Sequence, residues 1–375
     1  MPLIIYYLAL KKQKRHIYYN WLDVLWIIYF CDNIISWADN SYAYKSQLVF
    51  RFFMGQGAYM FAYWIGRKSN ENYLKEIIKK AYIPLLVTAI FGIYTYIFKP
   101  GWYMSLLYAQ FEDSYAGTQD FREFSRLRSI FSSPYVLAYF IPMVLSYYWF
   151  KFLGGHFNNN KDFRRSIFLI IVILITAMLC MMRAPFACIA LSLVLAFIYN
   201  IRYGKMSKSI SKMLVIIILG GSGLAFALTK MSADDYEYLS DKFTSVSKGG
   251  DRLLVERATL YKIDETLLGD GAGRHAPYVD NYPPNFQLPD GEYQKELAEL
   301  GYVGLVLLCI LFYSGFIKGI INFRNTYLEV CIISMCLICM FGASCLTVVN
   351  EHPIMFWLAL GQISNSKIRS KKVQS

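Results

Sequence analysis

AYIPLLVTAIFGIYTYIF, residues 81–98, carries no charged side chain and approaches the roughly 20 residues that a helix needs to cross the hydrocarbon of a bilayer. Lipid offers no hydrogen bonds to the backbone, so a stretch of this kind is expected to be helical, each N–H bonding within its own segment. Comparable apolar runs occupy 19–37, 47–66, 134–152, 166–182, 184–201, 213–229, 298–317, 327–348 and 353–365. The expectation is an all-α, polytopic membrane protein of about 10 transmembrane helices, forming one integral membrane domain over 1–375. The composition agrees, at 56% hydrophobic and 17% aromatic residues. One long polar segment, 230–297, interrupts the pattern between the seventh and eighth spans and is expected to be a large extracytoplasmic loop containing amphipathic helices.

The net charge of +12 would suit a nucleic-acid binder if the basic residues formed one patch. They are instead spread between alternate pairs of spans. Lys11, Lys12, Lys14 and Arg15 precede the first span; Arg67, Lys68, Lys75, Lys79 and Lys80 follow the second; Lys161, Arg164 and Arg165 follow the fourth. Arg202, Lys205, Lys208 and Lys212 follow the sixth, Lys318 and Arg324 the eighth, and Lys367, Arg369, Lys371 and Lys372 the tenth. Under the positive-inside rule these groups and both termini are cytoplasmic, and segment 230–297 lies outside with the loop 99–134. The pattern argues for topology and against nucleic acid as a partner.

The apolar stretch Met1 to Leu10 has its basic cluster after it, unlike a secretory signal, and reads as an interfacial turn or part of an extra span. All eight cysteines lie in apolar runs and read as small core residues, including the C-x-x-C pair Cys336 and Cys339, which has no flanking histidine.

Candidate functional residues gather on the expected outer face. Arg126 and Arg128 stand just ahead of Pro134, which opens the fourth span, and could alternatively pair with Asp120 and Glu123. Arg183 sits in the tight turn CMMRAPF between the fifth and sixth spans, near membrane depth, where an unpaired charge is costly. The polar segment contains DRLLVERATLYKIDETLLGDGAGRH, 251–275, in which Leu253, Leu260, Ile263 and Leu267 form a helical stripe edged by Arg252, with Arg257 on the same helix. Gly269, Gly271 and Gly273 then let the chain turn sharply. Arg252 could simply pair with Glu256. His275, Asp290, Glu296, Glu299, Glu351 and His352 approach the membrane from this side, while Asp23, Asp32 and Glu329 lie within spans. Arginine grips diphosphate bidentately without losing its charge. With no tight acidic cluster to hold magnesium, these arginines are candidates to neutralise a lipid diphosphate leaving group.

On these residues the chain resembles the O-antigen polymerase and ligase family of bacterial polysaccharide assembly. Arg126, Ser129, Phe131 and Pro134 are similar to the family's Arg-x-x-Gly-x-Phe-x-x-Pro segment, with serine in place of glycine. Arg183 takes the place of the arginine between two central spans, with Met182 where Ser or Thr is usual. Arg252, its helix and LLGDGAG resemble the outer-loop arginine, helix and Gly-x-Gly turn. Ligases close with His-Asn, a nine-residue gap and Gly-x-x-Gly; here Asp290 and Gly291 precede Gly301-Tyr-Val-Gly304 at that spacing, and Asp290 replaces the ligase histidine.

The resemblance implies a GT-C-like helical glycosyltransferase of the polymerase branch, in the bacterial cytoplasmic (inner) membrane, using neither nucleotide sugar, metal nor other cofactor. Donor and acceptor would be glycans on undecaprenyl diphosphate, and a chain-length regulator and a flippase would be its partners. Arg183, Arg252, Arg257 and Arg126 or Arg128 would hold diphosphates. Asp290, Glu299 or His275 would orient or deprotonate the acceptor hydroxyl. Two other readings stay open: a ligase, which would need a lipid A core acceptor, and a flippase for lipid-linked sugars, in which shorter loops and internal repeats would be expected.

Overall fold

The computed structural model describes residues 19–39, 52–53, 56–112, 127, 129–130, 134–180, 183–204, 209–214, 216, 267–269, 271, 291–342, 346 and 352–373. Among them there is no strand. The helices are α1 (Trp21–Asp39), α2 (Gln56–Met60), α3 (Ala62–Lys68), α4 (Tyr73–Lys80), α5 (Tyr82–Phe98), α6 (Gly101–Glu112), α7 (Pro134–Gly154), α8 (Asn160–Cys180), α9 (Arg183–Tyr203), α10 (Glu292–Ile321), α11 (Phe323–Gly342) and α12 (His352–Val373). The expected span 213–229 falls almost wholly outside the described residues, as does most of 230–291.

Among the described residues, four helices, α8, α9, α10 and α11, are long and apolar enough to cross a membrane, or five if α4 and α5, bent by 43°, count as one. Their surfaces are inverted relative to a water-soluble bundle. Ile83, Val87, Ile90, Tyr94 and Ile97 run down the exposed side of α5, and Val306, Ile310, Tyr313 and Ile317 down that of α10. Continuous apolar faces of this kind are tolerable against hydrocarbon and not against water. The fold is that of a helical membrane-spanning protein.

α11 is the central helix: 83% of its apolar stretch is buried, against 33–44% for the other three. It packs against α10, α12, α9 and α7, while α1 lies on α10, α8 on α5 and α7, and α3 on α12. Without a hydrophobic drive between helices in lipid, close backbone approach supplies much of the attraction. Gly66 on α3 and Gly361 on α12 provide it; a β-carbon at either position would stand 2.0 Å from the Leu358 carbonyl oxygen or 1.9 Å from that of Tyr63.

The same crossing holds a buried polar network. Arg67 Nε lies 3.1 Å from Asp23 Oδ1, Arg67 Nη1 donates to Asn365, and the Tyr63 hydroxyl donates to Asp23. Lys318 Nζ donates to the Ser364 carbonyl, and Asn20 Nδ2 to the Ser364 hydroxyl. Asp23, an intramembrane charge in sequence, thus has its counter-ion, and buried charges require one. α1, α3, α10 and α12 are thereby pinned at the end of the bundle that gathers most of the described basic residues. The starts of α9 and α10 open at the opposite end, because Cys188 of α9 contacts Met335 and Cys339 of α11, and Tyr293 of α10 packs on Phe341 at the far end of α11.

Candidate functional site

At that opposite end α10 is broken. Gly301 has φ 64° and ψ −162°, a left-handed conformation that ends the regular turn. In an unbroken helix the Val303 amide would bond the Glu299 carbonyl. Here both groups are taken elsewhere: Val303 N–H donates to the Leu267 carbonyl at 3.2 Å, and the Glu299 carbonyl accepts from Gly271 N–H at 3.0 Å. It also accepts from the Ser36 hydroxyl of α1 at 3.2 Å. Gly269, with φ 72°, sits so close that a β-carbon would be 2.4 Å from the Gly301 nitrogen. The two glycine motifs of the sequence, LLGDG and Gly301-Tyr-Val-Gly304, therefore interlock, and the helix break satisfies the loop's backbone as the loop satisfies the break.

The first turns of α10 carry a buried acidic row. Glu292, Glu296 and Glu299 are spaced four and three residues apart, on one helical face, and all are buried. Glu292 Oε2 accepts the Leu346 amide at 2.9 Å, tying the row to the chain beyond α11. Glu299 Oε2 lies 3.9 Å from the ammonium of Lys295, itself buried. Glu296 adjoins Tyr29 of α1, and its Oε2 has no hydrogen-bond partner among the described residues. Burying a carboxylate is expensive unless it is hydrogen-bonded or paired, and among the described residues no hydrogen bond offsets that cost at Glu296 Oε2.

A second clip lies at the same end. Leu127, the residue between Arg126 and Arg128, is buried; its N–H donates to the Leu179 carbonyl at 3.1 Å, and the Cys180 thiol donates to its carbonyl at 3.6 Å. Ser129 adopts φ 60°. Its hydroxyl donates to the Thr88 carbonyl at 2.6 Å, and its carbonyl accepts from the Tyr103 hydroxyl at 2.8 Å. The segment is thus held between α5, α6 and the last turn of α8, and Leu179, its anchor, precedes Arg183 by four residues in sequence.

Of the residues singled out in the sequence, Glu299 is placed as above, and Arg183 begins α9. Arg126, Arg128, Arg252, Arg257, His275 and Asp290 lie outside the described residues. Sequence reasoning passed over Glu292 and Lys295, although the spacing Glu292, Glu296, Glu299 and the i,i+4 pair Lys295 to Glu299 were readable signals. Among the described residues, no group of three or more histidine, cysteine or acidic side chains is arranged to hold a metal ion. No protein-family model, curated protein or solved structure matches the chain.

Proposed function

We propose that this protein is a polysaccharide polymerase of the bacterial inner membrane, with about ten spans, GT-C-like architecture and cytoplasmic termini, joining repeat units carried on undecaprenyl diphosphate. The observation that carries the reading is the docking of the 267–271 turn onto the break at Gly301, which ties the polar segment following Arg252 to the buried acidic start of α10. The resemblance adds a second support. Its arginine-and-proline segment has glycine where this chain has Ser129, and Ser129 holds the left-handed backbone that glycine favours.

In this reading the acceptor hydroxyl oxygen attacks the anomeric carbon of the donor glycan. The bond from that carbon to the diphosphate oxygen breaks, the configuration inverts, and undecaprenyl diphosphate departs carrying both electrons. Arg183, Arg252 and Arg257 neutralise the leaving diphosphate, and Arg126 or Arg128 holds that of the acceptor. The hydroxyl proton passes to a carboxylate or imidazole among Asp290, Glu299 and His275. Glu299, fixed by Lys295, suits the orienting role. The test compares wild type with Arg183→Ala and Arg252→Ala for growth of lipid-linked glycan on defined repeat units, at matched expression. Both variants are expected to lose product; normal polymerisation by either removes its arginine from the reading. Binding without product would favour a flippase, and product formed only with lipid A core a ligase.

A further inference from the structure

At the basic end of the bundle, a cleft of about 700 Å³ opens between α4, the start of α5, the end of α7 and the start of α8. We propose that it is a phosphate-binding site at the membrane boundary, built by Lys75, Lys79, Lys80 and Arg165 with the hydroxyls of Tyr147 and Tyr148. This is separate from the acidic end of α10 and does not rest on the polymerase reading.

Three observations favour a built site over scattered topogenic charge. Five cationic side chains line the cleft against one carboxylate, Asp162, and that carboxylate is already engaged by Lys151 Nζ at 2.7 and 2.9 Å. Lys75, Lys79, Lys80 and Arg165 make no ion pair among the described residues. Lysines that merely mark topology extend their ammonium groups into water. Lys75 is instead half-buried, and burial together with the charges of Lys79 and Lys151 depresses its proton affinity below the usual lysine value. α4 holds it there because Leu74 and Ile78 of the same helix are fully buried, which fixes the helix's rotation.

A cluster of cations with Lys75 half-enclosed at its floor, Lys79, Lys80 and Arg165 exposed around it, and no ion pair to these four among the described residues, is matched by a phosphate, which accepts from ammonium, guanidinium and phenol donors together. Ile83 lines the same cleft, is 68% exposed and heads the lipid-facing stripe of α5. The opening is therefore continuous with the lipid-facing surface, and an anionic phospholipid headgroup or a free phosphate could enter.

The test uses the full chain in neutral detergent and reads its thermal midpoint against three titrated probes: short-chain phosphatidylglycerol, short-chain phosphatidylcholine and inorganic phosphate. A rise with phosphatidylglycerol and none with phosphatidylcholine supports the site and assigns it to lipid; an equal rise with inorganic phosphate supports it and assigns a soluble source. Lys75→Gln with Arg165→Gln should weaken the response at least about tenfold, since two charge-assisted donors to the anion are removed together. Lys161→Gln with Arg164→Gln, outside the cleft, should leave it within about twofold, as expected of screened surface charges. Arg165→Gln alone, at an exposed position, guards against misfolding of the double variant. No midpoint rise with either anion, or equal losses in the two double variants, overturns the proposal.

Discussion

Asp23 and Arg67, 44 residues apart in sequence, form a buried ion pair of 3.1 Å that joins α1 to α3 beside the crossing with α12. Removing one partner strands the other where water cannot reach it. Asp23→Asn or Arg67→Gln should therefore cost about 3–5 kcal/mol, whereas replacing both should cost markedly less. Thermal unfolding in detergent checks this, and a double variant as unstable as the sum of the singles would contradict the pairing.

The crossing itself makes a steric prediction. Gly361→Ala would drive a methyl group to 1.9 Å from the Tyr63 carbonyl oxygen, so α3 and α12 must separate. Gly101→Ala meets nothing within 4 Å and lies at the start of α6, where alanine is the better helix former by up to about 1 kcal/mol. The first variant should lose monodisperse yield on size exclusion and the second should not.

Ser129 sets two effects against each other. Its left-handed backbone costs a non-glycine residue about 1–2 kcal/mol, and its hydroxyl bond to Thr88 contributes about 0.5–1.5 kcal/mol. Ser129→Gly relieves the first and loses the second, so stability should change by less than about 1 kcal/mol. Ser129→Val keeps the strain, adds β-branching and loses the bond. It should be clearly the less stable of the two in the same melting assay.

The docked glycine turn is testable by amide exchange. Gly271 N–H bonds the Glu299 carbonyl only while Gly269 fits against Gly301. Gly269→Ala places a β-carbon at 2.4 Å from the Gly301 nitrogen at a positive φ, and should abolish protection of the Gly271 amide while sparing α11. Unchanged protection would contradict the interlock.

His156, between α7 and α8, stacks on Phe150 at 5.0 Å, and burial with the charges of Lys212 and Lys75 lowers its proton affinity below the ordinary histidine value. The unfolded chain then binds a proton at a pH where the folded chain does not. Stability supplied by neutral His156 is complete above about pH 6.5 and falls as pH drops towards the depressed folded value. In phosphate-free buffer the thermal midpoint should decline over that window, and His156→Asn should flatten the decline.

The apolar runs were legible because a helix in lipid has to be uniformly apolar on its outer face, and helices occupy 82–98, 160–180 and 323–342 close to where residues 81–98, 166–182 and 327–348 place them. Cys336 and Cys339 pack in the interior as their apolar setting suggests, with Cys339 Sγ 3.6 Å from Cys188 Sγ. Arg67 was readable as a basic residue flanking a span; its buried pairing was not, because nothing local links it to Asp23 on another helix. Gly301 and Gly304 stand in the sequence as the Gly-x-x-Gly of the family resemblance, which does not announce a helix break. The break at Gly301 depends on a turn about 30 residues upstream, Leu267 and Gly271, exchanging hydrogen bonds with it, and periodicity carries no trace of that.

The most direct test of the proposed activity is reconstitution of the purified full chain with a single species of undecaprenyl-diphosphate-linked repeat unit, with product separated by length. The account predicts a ladder of lipid-linked glycans rising in steps of one repeat, with undecaprenyl diphosphate released in equal number to the bonds formed. Intact substrate with no ladder and no released lipid, from protein that binds the substrate, would contradict it.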